Sequence, residues 1–166
     1  GTFETLMTTP VSDLQVVLAK FIGSYLFFLI AFLPTLLYPF IVKQYAHEAV
    51  AIDIGSVFSL GLGVGLFGAF FTAMGCFASS LTRSQIVAAV LTFAAGTSLF
   101  ILGYIADLRP SEMMWWHTSL QHVSMLRHMQ DFSTGIIDSR HIVYYVSLTT
   151  VFLFATVKSI ESRRWK

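Results

Sequence analysis

Charge is what this sequence lacks most. Asp, Glu, Lys and Arg make up 11% of its 166 residues. They stay out of four long runs altogether: Phe21–Val42, Ile54–Thr82, Ser84–Ala106 and His141–Val157. A helix that spans a bilayer needs about 20 apolar residues, within a range of about 17–25. All four runs are long enough, the last by borrowing flanking residues. A hydrophobic fraction of 55% and a mean hydropathy of +0.73 exclude a water-soluble domain. The single cysteine, Cys76, permits no disulfide within these residues and reads as a small buried hydrophobe inside an apolar run. A net charge of +1 with no clustered basic face excludes a nucleic-acid surface. There is no G-x-x-x-x-G-K-S/T sequence, so ATP is not bound here through a P-loop. No serine or cysteine stands in a nucleophile-elbow context and no His-Glu-x-x-His occurs, so the chain is not read as an enzyme. The runs also contain no Asp, Glu, Lys or Arg, whereas ion-coupled transporters usually place ionisable residues within their spans. Energy for any transport must then come from outside the chain.

What remains is an all-α polytopic bundle. Its spans are expected at about 21–42, 54–79, 84–106 and 141–158, within one membrane domain of residues 1–166. Lys43–Asp53 is a short polar hinge, Ser79–Gln85 a tight turn, 107–140 a long polar segment and 159–166 a basic tail. Pro34 and Pro39 each remove a backbone bond from the first span and favour a kink there.

The stretch before the first span is amphipathic. Phe3, Leu6 and Met7 share one helical face, and Glu4 sits in the first turn, where an acid suits the helix dipole. Pro10 breaks this helix. Ser12 restarts it as an N-cap, with Gln15 completing a capping box and Val11 facing Val16 as a hydrophobic staple. The second helix passes Lys20 at the lipid boundary and runs on into the membrane. An element of this kind lies along a membrane surface and would carry a push into the span joined to it.

Ile54–Thr82 is rich in glycine. Gly61, Gly65 and Gly68, then Thr72 and Gly75, recur at roughly helical spacing and form a small-residue face for close helix packing. Gly63, Gly65 and Gly68 also match G-x-G-x-x-G formally. That fingerprint needs a preceding strand and a soluble helix, and neither fits an uncharged run of this length.

In the long polar segment, Met113, Met114, Trp115 and Trp116 form an interfacial patch, since indole rings favour the headgroup level. Leu120, Val123, Leu126, Met129 and Phe132 then suggest an amphipathic helix lying against the membrane. His117, His122, His128, Met113, Met114, Met125 and Met129 could offer ligands to a soft metal. No recognised ligand spacing occurs, so no metal site is assigned.

Four spans put both ends of the chain on one side. That side carries Lys20, Arg83, Lys158, Arg163, Arg164 and Lys166, against Lys43, Arg109, Arg127 and Arg140 on the other. The positive-inside rule places the termini in the cytoplasm and the Trp/His/Met segment outside.

Gly1-Thr2-x-Glu4-x-Leu6-x-x-x-Pro10-Val11, followed by Ala19-Lys20-Phe21, resembles the segment preceding a span in permease subunits of type-2 ATP-binding-cassette (ABC) transporters. Ser79-Ser80-Leu81-Thr82, Asp131-Phe132, Gly135-Ile136-Ile137-Asp138 and the ending through Glu161-Ser162-Arg163-Arg164-Trp165 are similar to the bacterial exporter branch that includes gliding-motility permeases. The resemblance implies a permease paired with a second permease half, in a homo- or heterodimer, and with ATP-binding subunits. Those subunits would hold ATP and Mg, with no cofactor in this chain. The resemblance further implies that the opening helix is the coupling element, with Thr2, Phe3, Glu4, Leu6, Met7 and Pro10 at the ATPase interface. It places the protein among the lipids of a bacterial inner membrane. Two further spans are expected ahead of Gly1, in keeping with a sequence that opens without an initiator Met. The alternative function is a non-transporting membrane anchor or assembly subunit whose opening helix docks a cytoplasmic partner. A metal-dependent membrane enzyme comes third.

Overall fold

The first helix begins where the sequence puts its cap. In the computed structural model, which describes residues 12–45, 53–108 and 124–164, the Ser12 Oγ accepts from the Gln15 N–H at 3.4 Å, and the Gln15 Oε1 accepts from the Ser12 N–H at 3.1 Å. This reciprocal pair occupies amide groups that a helix start leaves without intrahelical partners. Helix α1 (Asp13–Phe32) follows, with Asp13 in its first turn beside the positive end of the helix dipole. Pro34 has no N–H for an i−4 carbonyl, and the chain tightens there into a 3-10 turn over Leu33–Leu37. Pro39 falls in the first turn of α2 (Tyr38–Tyr45), where a missing N–H costs little. Asp13–Tyr45 is thus one span of 33 residues with a change of pitch inside it.

Asp53 caps the second span, α3 (Ile54–Leu81). Its carboxylate accepts from the Ser56 hydroxyl at 2.6 Å and from the Gly55 and Ser56 N–H groups at 3.0 and 3.3 Å. The Ser56 hydroxyl, and then the Gly55 amide, hold this carboxyl below the usual carboxylate range. After a turn in which the Ser84 N–H donates to Thr82 Oγ1 at 3.1 Å, the third span α4 (Gln85–Leu108) returns. A short helix, α5 (Met125–Ser133), ends in a Schellman motif. Gly135 takes φ +84°, the left-handed conformation that glycine adopts without a Cβ clash. The Ile136 N–H reaches back to the Asp131 carbonyl at 2.9 Å and the Gly135 N–H to that of Phe132 at 3.2 Å. The fourth span, α6 (Ser139–Arg164), extends past its charge-free run at both ends. Asp138 Oδ1 accepts from the Arg140 N–H at 2.9 Å at one end, and Lys158 pairs with Glu161 at 2.7 Å at the other.

Helix α3 is the centre of the bundle, and α1, α4, α5 and α6 all pack on it. It is apolar around its whole circumference, as a helix covered on several sides should be. Phe70, Met74, Met125, Phe132 and Tyr145 form the core. The rings of Phe70 and Phe77 stand edge-on to Phe152 at centroid distances of 5.8 and 5.7 Å. The outward faces are just as apolar: Ile86, Phe58 and Phe27 are 77%, 76% and 75% exposed. Apolar exposure on this scale suits hydrocarbon and not water. All four long helices have the length and composition of membrane spans.

Candidate functional site

Lipid tails are as apolar as the helix surfaces they wet, so spans associate through close packing and not through the hydrophobic effect. The glycines of α3 therefore decide which neighbours can approach. Gly61, Gly65 and Gly68 face the first span, opposite Leu36, Tyr25 and Phe28 respectively. A Cβ on Gly61 would lie 3.3 Å from Leu36 Cδ2, and one on Gly68 would enter the Phe28 ring. At Gly65 a Cβ would make ordinary contact with the Tyr25 oxygen at 3.5 Å. Gly75 looks towards Thr92 of α4 with room to spare, at 3.9 Å. The tight glycine between α3 and α4 is instead Gly96 of α4, whose face is filled by the Phe71 ring of α3. Gly63 points another way, and a Cβ there would lie 2.5 Å from Phe132 Cδ2. Neither Gly63 nor Gly96 was assigned to the packing face from spacing, because their partners are aromatic rings on other segments.

Between α1 and α3 the seam opens into an apolar crevice of about 680 Å³, lined among others by Leu29, Leu36, Phe40, Phe58, Gly61 and Ile137. Within it the Tyr25 hydroxyl donates to the Gly65 carbonyl at 3.1 Å and ties the two spans together. Its lining offers hydrocarbon contacts and almost no polar group.

Helix α5 departs from the sequence expectation. Leu120 and Val123 lie outside the described residues, and Leu126 and Met129 are half-buried. The buried stripe is Met125, His128 and Phe132, seated on α3 and α4 within the bundle and not laid along a membrane surface. The physical reason is the space left by two glycines. Gly63 admits the Phe132 ring, and Gly103 lets the Ser124 backbone approach to 3.0 Å from where a Cβ would stand. This seat brings polar groups of α5 against the start of α6. His141 Nε2 lies 2.8 Å from Asp131 Oδ2, a hydrogen bond that becomes an ion pair when the imidazole is protonated. The His128 ring lies tilted against that of His141, centroids 4.1 Å apart, and meets the rings of Tyr144 and Tyr145 edge-on at 5.3 and 5.6 Å. Behind them the Tyr145 hydroxyl is fully buried and has no hydrogen-bond partner among the described residues.

The expected coupling residues Thr2, Phe3, Glu4, Leu6, Met7 and Pro10 lie outside the described residues, as does Val11 of the expected staple. Of the expected metal donors, His117, His122, Met113 and Met114 also lie outside them. Met125, His128 and Met129 are described, and no group of three His, Cys, Asp or Glu side chains among the described residues could hold a metal ion. Cys76 is half-buried beside Ser24 of α1, less enclosed than its apolar run implied.

Residues 1–159 match the family profile described as ABC-2 family transporter protein. No curated protein and no solved structure matches the chain. The profile match takes in the first three apolar helices and most of the fourth. The chain belongs to the ABC-2 transporter family and is a multi-pass membrane permease component of an ABC transporter.

Proposed function

We propose that this chain is one permease half of an ATP-driven exporter in a bacterial inner membrane. ATP and Mg are held by a partner subunit, and a second permease half completes the pathway. The observation that carries this reading is the unbroken helical path from the Ser12 capping box to Tyr45, preceded by the segment that resembles a coupling element. A force applied at Gly1–Val11 by an ATP-binding subunit passes directly into the first span. Close packing of that span on Gly61 and Gly68 passes it on to the centre of the bundle. The absence of Asp, Glu, Lys and Arg from Ile54–Thr82 and Ser84–Ala106 supports an external energy source. The basic residues at the terminal side support cytoplasmic termini, where ATP is available.

Sidedness tests this reading. Single cysteines at Ser119 and Ser162, in a Cys76→Ala background, are exposed to an impermeant thiol reagent on intact cells. Ser119→Cys labels and Ser162→Cys does not. The reverse pattern would put the opening helix on the side without ATP and end the exporter reading.

A further inference from the structure

The first span changes character at Pro34. Before it, α1 packs on both α3 and α6. Beyond it, no residue of Leu33–Tyr45 is buried, and α2 makes its main contact with the 3-10 turn behind it. This far arm of the span leaves a gap along α3, and the gap is the apolar crevice. Leu37 and Phe40 line it from the arm, and Ile54, Val57 and Leu62 from α3.

Its dimensions are those of one leaflet. The lining on α3 runs from Ile54 to Leu66, which is about 18 Å of helix. Half of a bilayer's hydrocarbon core is about 15 Å deep. The crevice also opens sideways, because Phe58, Phe40 and Ile137 line it and are among the exposed apolar side chains. On that side of a membrane span the medium is acyl chain. A polar ligand would find no partner within, since the Tyr25 hydroxyl is committed to the Gly65 carbonyl.

One charge stands at the mouth. Lys43 lies three residues after Phe40, on the same face of α2 and in its last turn. It is exposed and has no ion pair among the described residues. Asp53, the acid next to Ile54, has its carboxylate turned to Ser56 and Gly55. A lysine one turn beyond an apolar slot, near the end of a span, reaches to the level of the headgroups. We propose that the crevice binds one anionic phospholipid, its acyl chain lying between α3 and the far arm of the first span and its phosphate at Lys43. A second copy of the chain would also cover apolar surface, but it gives Lys43 no counter-charge. The site requires only that these helices cross a membrane, so it stands or falls apart from the exporter reading.

Cross-linking of the full chain in nanodiscs of phosphatidylglycerol and phosphatidylcholine, in equal amounts, tests this. Photoreactive benzoylphenylalanine is placed at Phe40 in the crevice or at Phe93. Phe93 faces outward from α4 at 74% exposure, ten residues from the nearest basic side chain, Arg83. Mass spectrometry then reads what each probe has captured. A lysine at a membrane surface favours anionic lipid by about fivefold. The ratio of phosphatidylglycerol to phosphatidylcholine adducts at position 40 is therefore about fivefold that at position 93. Lys43→Gln brings the two ratios together without touching the fold. Leu62→Trp fills the crevice and lowers the yield of lipid adducts at position 40 but not at 93. Equal ratios at the two positions overturn the proposal, as does a ratio unchanged by Lys43→Gln or a yield unchanged by Leu62→Trp. Capture at position 40 of a second copy, or of another segment of this chain, in place of lipid also overturns it.

Discussion

Replacing Gly63 with alanine would set a methyl group 2.5 Å from Phe132 Cδ2, 2.7 Å from Cγ and 3.0 Å from Cβ. These are the stem carbon and the adjoining ring atoms of a fully buried side chain and not a flexible tip, so the ring cannot step aside without α5 moving. Overpacking of this kind costs about 1–3 kcal/mol. Gly65→Ala is the matched control on the same helix. Its methyl group meets Tyr25 Oη at 3.5 Å and Leu29 Cδ2 at 4.0 Å, both ordinary contacts. Alanine is also the better helix former by about 1 kcal/mol, and that gain is common to both variants. The difference between them therefore reads the clash alone. At roughly 2–4 °C per kcal/mol for a chain of this size, Gly63→Ala melts about 2–12 °C below Gly65→Ala in nanodiscs. A double-mutant cycle with Phe132→Ala sharpens the test. Once the ring is gone the clash has no partner, so the two substitutions must be non-additive by about 1 kcal/mol or more. Equal melting of the two glycine variants, or strict additivity, would refute the assignment of Gly63 as the seat of Phe132.

Two further outcomes follow from named contacts. Asp53 is stabilised in its ionised form by Ser56 and Gly55, so its capping contribution is complete above the usual carboxylate range and is lost as the pH falls below it. Exchange protection in the first turn of α3 should fall in acid for the parent and stay flat for Asp53→Asn. Removing the hydroxyl in Tyr25→Phe frees the Gly65 carbonyl inside the membrane; hydrogen bonds between spans average about 0.6 kcal/mol, and the melting shift should be correspondingly small. A shift several times larger would mean that Tyr25 does more than tie α1 to α3.

The spans were legible because lipid imposes a one-dimensional rule: a run without charge, long enough to cross, becomes a helix. The Ser12–Gln15 capping box was legible for a similar reason, being closed within four residues. Tertiary seats were not legible in that way. Phe132 was recognised as apolar, but its destination at Gly63 lies 69 positions back in the chain, and spacing along one helix says nothing about which ring fills a gap. His128 read only as one of several possible metal donors, because no local signal shows that His141 and Tyr145 come to enclose it. The small-residue face of α3 was read as one stripe. The helix uses different glycines for different partners: Gly61 and Gly68 for the first span, and Gly63 for α5.

The most direct test of the central claim is purification of the protein with its native partners, followed by ATP hydrolysis in reconstituted vesicles. The account predicts that a chain carrying a Walker A motif co-purifies. It also predicts that Phe3→Asp and Glu4→Lys weaken that association or uncouple hydrolysis from the membrane subunit, while insertion of the four spans is unchanged. Purification of an intact membrane assembly without any ATP-binding chain, or full coupling in both variants, would contradict it.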